Sequence, residues 1–137
     1  MKTALLDSSV WISFFGKDIH FKKADKIITN IEDSHYQILL PTIVYIEVLN
    51  VLKRIGVAKK TLRKIKTIFL TKRNIKIIHP PKRFWLNHVE KYMDRVKLKS
   101  SDLIILAHTL EFKTNKFFSF DKKLKQGYFK AKSHAKN

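Results

Sequence analysis

Short apolar runs, each stopped by an acid or a proline, alternate along this chain with longer stretches whose apolar residues recur every three or four positions. The first pattern marks buried strands and the second amphipathic helices. Residues 2–6 (Lys-Thr-Ala-Leu-Leu) read as a strand halted by Asp7-Ser8-Ser9, and Val10, Trp11, Phe14 and Phe15 as a short helix ending at Gly16. Phe21, Ala24, Ile27, Ile28 and Ile31 share one face of a second helix whose outer face carries lysines. Tyr36 to Leu40 predicts a strand, and Pro41 opens a helix that reaches about Ile55 and stops near Gly56. Leu62, Ile65 and Phe69 mark a further helix, and Ile75, Ile77 and Ile78, closed by Pro80-Pro81, a third strand. Trp85, His88, Val89, Tyr92, Met93 and Val96 keep helical steps. Ser100-Ser101-Asp102 predicts the cap of a helix that is apolar from Leu103 to Ala107, and Lys116 to Phe120 a fourth strand ending at Asp121.

Strands that alternate with helices imply an α/β fold with a mainly parallel sheet covered on both faces. In such sheets ligands sit beyond the carboxyl ends of the strands. The 137 residues suffice for one domain, predicted over residues 1–129. Residues 130–137, with almost nothing to bury, are expected to form a basic, mobile tail. An apolar content of 45% is enough for a packed core and excludes wholesale disorder. The absence of cysteine excludes disulfides, thiol nucleophiles and Cys-ligated zinc. Uninterrupted apolar runs reach only five or six residues, far short of a membrane span, and Asp7 breaks the first too early for a signal peptide. A soluble, cytoplasmic domain is the expectation.

Basic residues exceed acidic ones by 18 at neutral pH. Charge of that size repels itself and points to a polyanionic partner, nucleic acid before an acidic protein or a membrane surface. From Lys53 to Arg83 there are twelve Lys or Arg and no acid, and residues 113–137 carry eight Lys against one Asp. The simplest competing reading is a set of solvated helix faces.

With only eleven carboxylates in the chain, their positions are informative. Asp7 and Asp121 end the first and fourth strands, Asp102 opens the helix before the fourth strand, and Glu47 lies on the helix after the second. Asp7, Asp102 and Asp121 each fall where a helix starts, so each alone is explained by capping. Glu47 is different. It is the sole charge in Ile-Val-Tyr-Ile-Glu-Val-Leu-Asn-Val-Leu, with Ile43, Val44, Asn50 and Val51 three and four residues away. Burying it unpaired would cost several kcal/mol or force it to take up a proton. Either a lysine from elsewhere or a metal ion could relieve it. Three or four carboxylates meeting at one sheet edge would make an all-oxygen site suited to Mg²⁺ or Mn²⁺. Without the ion they would repel, leaving the site loose or partly protonated. With it, such a site activates water and neutralises charge on a phosphate while lysines hold the backbone.

The runs Leu5-Leu6-Asp7-Ser8-Ser9, Pro41-Thr42-Ile43-Val44-Tyr45-Ile46-Glu47, Ser101-Asp102-Leu103-Ile104-Ile105 and Ser119-Phe120-Asp121 resemble, in order and spacing, the four acidic motifs of PIN-domain nucleases. Length and a near-terminal first Asp make the chain most similar to the VapC-type toxins of prokaryotic toxin–antitoxin pairs. The resemblance covers roughly Lys2 to Phe129. It implies a PIN-like three-layer sandwich with a central sheet of four to five strands, and a Mg²⁺- or Mn²⁺-dependent endoribonuclease. By position, Asp7, Glu47, Asp102 and Asp121 would hold the metal, and Ser119 would orient water or a carboxylate. Ser8 falls at the polar position after the first Asp, as a supporting residue. The resemblance also implies an RNA substrate, a homodimer and a cognate antitoxin whose C-terminal segment wraps the toxin and blocks the site. One departure is Leu-Ile-Ile-Leu-Ala-His after Asp102, bulkier than the Ala-rich helix usual in the family.

The six histidines show no ligand spacing, and His88 and His108 read as core or boundary residues. Trp11, Phe14, Phe15, Trp85 and Tyr92 read as core or interface packing, and Phe117, Phe118 and Phe120 as parts of a buried strand. Tyr128 and Phe129 are the aromatics that stand as candidate RNA or partner contacts. Three glycines make no phosphate-binding loop. Two other classes compete with a nuclease: a non-catalytic, basic RNA-binding or regulatory domain whose acids are mere caps, and a receiver-type phosphoacceptor domain. The latter expects an acidic pair ahead of the first strand's Asp, where this chain has Leu5-Leu6.

Overall fold

Strands buried on both faces must be apolar where they are buried, and the inner strands of this sheet are apolar past their first residue. In the computed structural model, which describes residues 1–135, β1 (Thr3–Leu6) and β2 (Gln37–Pro41) are buried past their first residue. β3 (Ile75–Ile78) and β4 (Lys116–Phe118) are exposed or half-buried at every position but Ile78, as suits edge strands. All pairings are parallel, in the order β3-β2-β1-β4. Ala4 and Leu5 stand opposite Ile38 and Leu39 on one side and Lys116 and Phe117 on the other.

The connections are helical. α1 (Ser8–Gly16) and α2 (Phe21–Asp33) join β1 to β2, and α3 (Thr42–Arg54) and α4 (Lys59–Thr71) join β2 to β3. A π-helical segment (Phe84–Val89), α5 (Glu90–Met93) and α6 (Ser100–Glu111) lead to β4, and α7 (Lys122–Ala135) follows it. Right-handed crossovers put successive helices on opposite faces wherever the strand order reverses. β1 to β3 progress in one direction and β4 returns to the other side of β1, so the order reverses between β1 and β4. Open α/β sheets bind ligands in the crevice outside such a switch point. Asp7 and Asp121 follow the two strands that flank it.

Local signals account for most boundaries. Gly56, at φ 95° just past α3, supplies the left-handed residue that ends a helix. The core joins Leu5, Leu6, Ile38 and Leu40 of the sheet to Val10, Val44, Val48, Leu52, Ile105 and Leu106 of the helices, all buried.

Four sequence expectations differ from the structure. The fourth strand is shorter than 116–120, because Ser119 turns the chain and accepts the N–H of Asp121 at 3.0 Å. The helix expected from Trp85 to Val96 begins as a π-helix; its buried side chains, Phe84 and Val89, are five apart, which suits a widened turn. Ser100, Ser101 and Asp102 lie inside the first turn of α6, with Lys99 at the capping position and no side-chain cap. The boundary expected at residue 129 falls within α7, which continues to Ala135 with Ala131 buried. Leu124, Tyr128 and Ala131 form its buried stripe, a helical signal masked by the surrounding lysines. Residues 136–137 of the expected tail lie outside the described residues. Among the described residues, no helix is long and apolar enough to cross a membrane.

Candidate active site

Asp7 is buried at the end of β1 and stands at the N-cap of α1, yet its carboxylate makes no capping bond. Its Oδ2 instead accepts hydrogen bonds from Ser9 at 2.8 Å and Ser119 at 2.9 Å. Both serines also hold the chain after β4. Ser9 Oγ accepts the N–H of Phe120 at 3.0 Å, and Ser119 Oγ that of Asp121 at 3.0 Å. Ser8 reaches the other way, with its hydroxyl 3.4 Å from Asp7 Oδ1 and 3.3 Å from Glu47 Oε2. One hydroxyl carries one proton, so these two long contacts share a single donor. Three consecutive polar residues therefore tie β1 to α3 and to the turn after β4.

Glu47 is half-buried, and its Oε1 is buried without a hydrogen-bond partner. Burial and the neighbouring charge of Asp7 hold its carboxyl above the ordinary range, against the Ser8 contact and Lys99. The lysine rescue considered from sequence is thus a nearby charge and not an ion pair. Asp102 is buried in the first turn of α6. Burial pushes it up to about 6; Lys99 opposes this, and Asp7, Asp121 and Glu47 add to it. Asp102 therefore feels all three of the other acids. Asp121 accepts the N–H of Leu124 at 3.1 Å, so it does cap α7. Of the three acids explicable as caps, it alone makes a capping bond.

Among the described residues, no three His, Cys, Asp or Glu side chains are already arranged to hold a metal ion. The donor set nonetheless fits a hard divalent cation. It is all oxygen, Glu47 Oε1 is buried and unpartnered, and burial, with repulsion from the neighbouring acids added to it, raises two of the four acids. A cation would remove that repulsion and draw the carboxylates together. Ser9 and Lys99 are the residues that sequence reasoning left without a role. Ser9 lay within a quoted motif, whereas nothing in the pattern around Lys99 distinguishes it from the other lysines.

The remaining candidates divide. His108 is buried among Phe84, Trp85 and Phe112, bonds the Ile104 carbonyl through Nδ1 at 2.8 Å and leaves Nε2 without a partner. His88 pairs with Glu111, which also takes Lys91 and the Tyr92 hydroxyl. Trp11 and Tyr92 are core residues, while Trp85 is partly exposed. Tyr128 is buried and Phe129 exposed.

A parallel α/β domain with acids gathered beyond the switch point of its sheet is an acid-centred domain of the kind that the four motifs suggested. The PIN domain family matches residues 4–130, and the chain belongs to that family. Among solved structures it is similar to VapC20 of Mycobacterium tuberculosis, a toxin described as cleaving the sarcin–ricin loop, with a TM-score of 0.72 and 14% identity over 90% of this chain and 93% of that one. It is also similar to a chain of VapBC2 from Rickettsia felis, determined bound to a DNA fragment from their promoter. There the TM-score is 0.66 and the identity 13%, over 90% of this chain and 92% of that one. At these identities the likeness is one of fold. No curated protein gives a significant sequence match.

Proposed function

We propose that this chain is a Mg²⁺- or Mn²⁺-dependent endoribonuclease of the VapC type, the toxin of a type II toxin–antitoxin pair. The observation that carries the reading is the serine-linked set at the switch point: Ser8 between Asp7 and Glu47, and Ser119 between Asp7 and the backbone of Asp121. Asp7, Glu47, Asp102 and Asp121 would hold the ion. Bound there, it would supply an activated water and neutralise charge on the phosphate under attack. Ser119 and Ser9 fix Asp7 through Oδ2, leaving Oδ1 with only a long contact and so free to ligate. The +18 net charge supports RNA as the polyanion.

The fold shared with a chain of the VapBC2 complex supports a cognate antitoxin as partner. A homodimer and residence in the cytoplasm belong to the same reading. The test is cleavage of total cellular RNA by wild type and by Glu47→Gln, with Mg²⁺, Mn²⁺ or EDTA. Wild type should cut only with metal, and Glu47→Gln at least a hundredfold more slowly. Equal cutting by both proteins, or none in any metal, overturns the reading.

A further inference from the structure

Outside the edge strand β4, between α2 and α7, lies a pocket of about 240 Å³. Lys23, Ile27, Lys125, Tyr128 and Phe129 line it, and residues 117–120 form its floor. Its volume equals about eight waters at ~30 Å³ each, enough for one planar heterocycle and far too little for a helix.

Three features point to the same occupant. The first is aromatic. Phe129 is 65% exposed and lies off the buried stripe of α7, so the core does not explain it. Its ring lies 5.5 Å from that of Tyr128, which packs 5.1 Å from Phe117. An exposed ring at the rim of a basic pocket is a stacking platform for unpaired bases. The second is charge: two lysines border the pocket and no carboxylate lines it. A second groove on the same edge, meeting the first at Ile27 and Phe118, adds Lys26 and Lys116 and again no acid. The third is continuity. Ser119 forms part of the floor and donates to Asp7 at 2.9 Å, so a single side chain separates the pocket from the carboxylates.

We propose that this pocket seats one unpaired base of an RNA strand, next to the phosphate presented to the carboxylates. Phe129 stacks on the base, and Lys23 and Lys125 hold the flanking phosphates. The inference rests on the nuclease reading and extends it: the substrate enters as a single strand along β4, and the pocket contributes to the choice of cleavage position.

The test uses the full chain in EDTA, which withholds the metal that cutting needs, and fluorescent 2′-O-methyl octanucleotides of uridine and adenosine, with anisotropy read across a salt series. Phe129→Ala should weaken single-strand binding roughly ten- to a hundredfold with an unchanged salt slope, and Phe129→Trp should restore it. Lys23→Ala with Lys125→Ala should lower the salt slope by about 1.4, at ~0.7 per phosphate. A melting temperature equal to wild type shows that Phe129→Ala remains folded. Single-strand affinity indifferent to Phe129, or an equal loss for a duplex of the same sequence, overturns the proposal. So does an acidic aliphatic peptide whose binding, unlike that of the octanucleotides, depends on Phe129. Because the assay contains no metal and reads binding alone, it is independent of the cleavage experiment. Normal cutting with Phe129-indifferent binding removes the pocket alone, whereas Phe129-dependent binding without cutting in any metal removes the nuclease.

Discussion

The hydroxyl of Ser119 donates to Asp7 Oδ2 at 2.9 Å across 112 residues of sequence, and it accepts the N–H of Asp121 at 3.0 Å. One oxygen thus fixes the ends of β1 and β4 to each other at the place where the strand order reverses.

Removing that oxygen has a definite cost. Ser119→Ala leaves the Asp121 N–H without its partner and Asp7 Oδ2 with Ser9 alone, a loss of about 1–3 kcal/mol. Urea denaturation should show a lower midpoint with an unchanged slope. Ser119→Thr, which keeps the hydroxyl, should lie close to wild type.

Asp102 should make the metal-free protein less stable as pH rises. Its folded value of about 6 exceeds the ordinary 3.8, because burial and the surrounding acids disfavour the charge. The folded state therefore binds the extra proton, and this contribution is fully present below pH 3.8 and lost as pH rises to about 6. Asp102→Asn should abolish that part of the pH profile and raise the melting temperature at pH 7 by roughly 3–6 °C per kcal/mol of repulsion relieved. Identical wild-type and variant profiles between pH 4 and 7 in EDTA would contradict this.

His108, on the same helix, acts with the opposite sign. Burial holds it below its ordinary 6.5, against the bond to Ile104. Its contribution is complete above pH 6.5 and is lost as the pH falls from there through its folded value. His108→Phe removes the unpartnered Nε2 while keeping the volume, so at pH 7 it should be neutral or stabilising by up to about 1 kcal/mol. Its acid-side loss should also flatten.

Divalent cations should raise the melting temperature of wild type, since they remove repulsion that acts only on the folded state. Asp7→Asn should cancel the rise, having lost the carboxylate that faces both Ser8 and Ser119. A calorimetric trace unmoved by saturating Mg²⁺ and Mn²⁺ would count against any ion site.

The basic surface of α4 should contribute charge without sequence preference. Neutralising Arg63, Lys64 and Lys66 together should lower the salt slope of RNA binding by about 2, uniformly across sequences. Nitrocellulose-filter titrations at several salt concentrations would read it, and an unaltered slope would refute it.

Much of this was legible in one dimension. Leu5-Leu6 stopped by Asp7, the helical steps from Phe21 to Ile31, and Glu47 alone among apolar neighbours each report a local rule that survives folding. The start of α7 after Asp121 was legible, but its extent to Ala135 was not, because Leu124, Tyr128 and Ala131 are diluted by lysine. The π-helical turn escaped because its five-residue spacing follows from packing against α6 and not from propensity.

Residue order alone determined that strands and helices alternate, that few acids occur, and that one of them is the sole charge in an apolar stretch. Those properties depend on neighbours within a turn or a pleat, so they can be read locally. Tertiary structure alone decided that β4 lies beside β1, that Ser9 and Ser119 converge on a single carboxylate oxygen, and that Asp102 is crowded enough to titrate near 6. Strand order and electrostatic crowding arise between segments a hundred residues apart, and they exist only once the sheet has closed over its core.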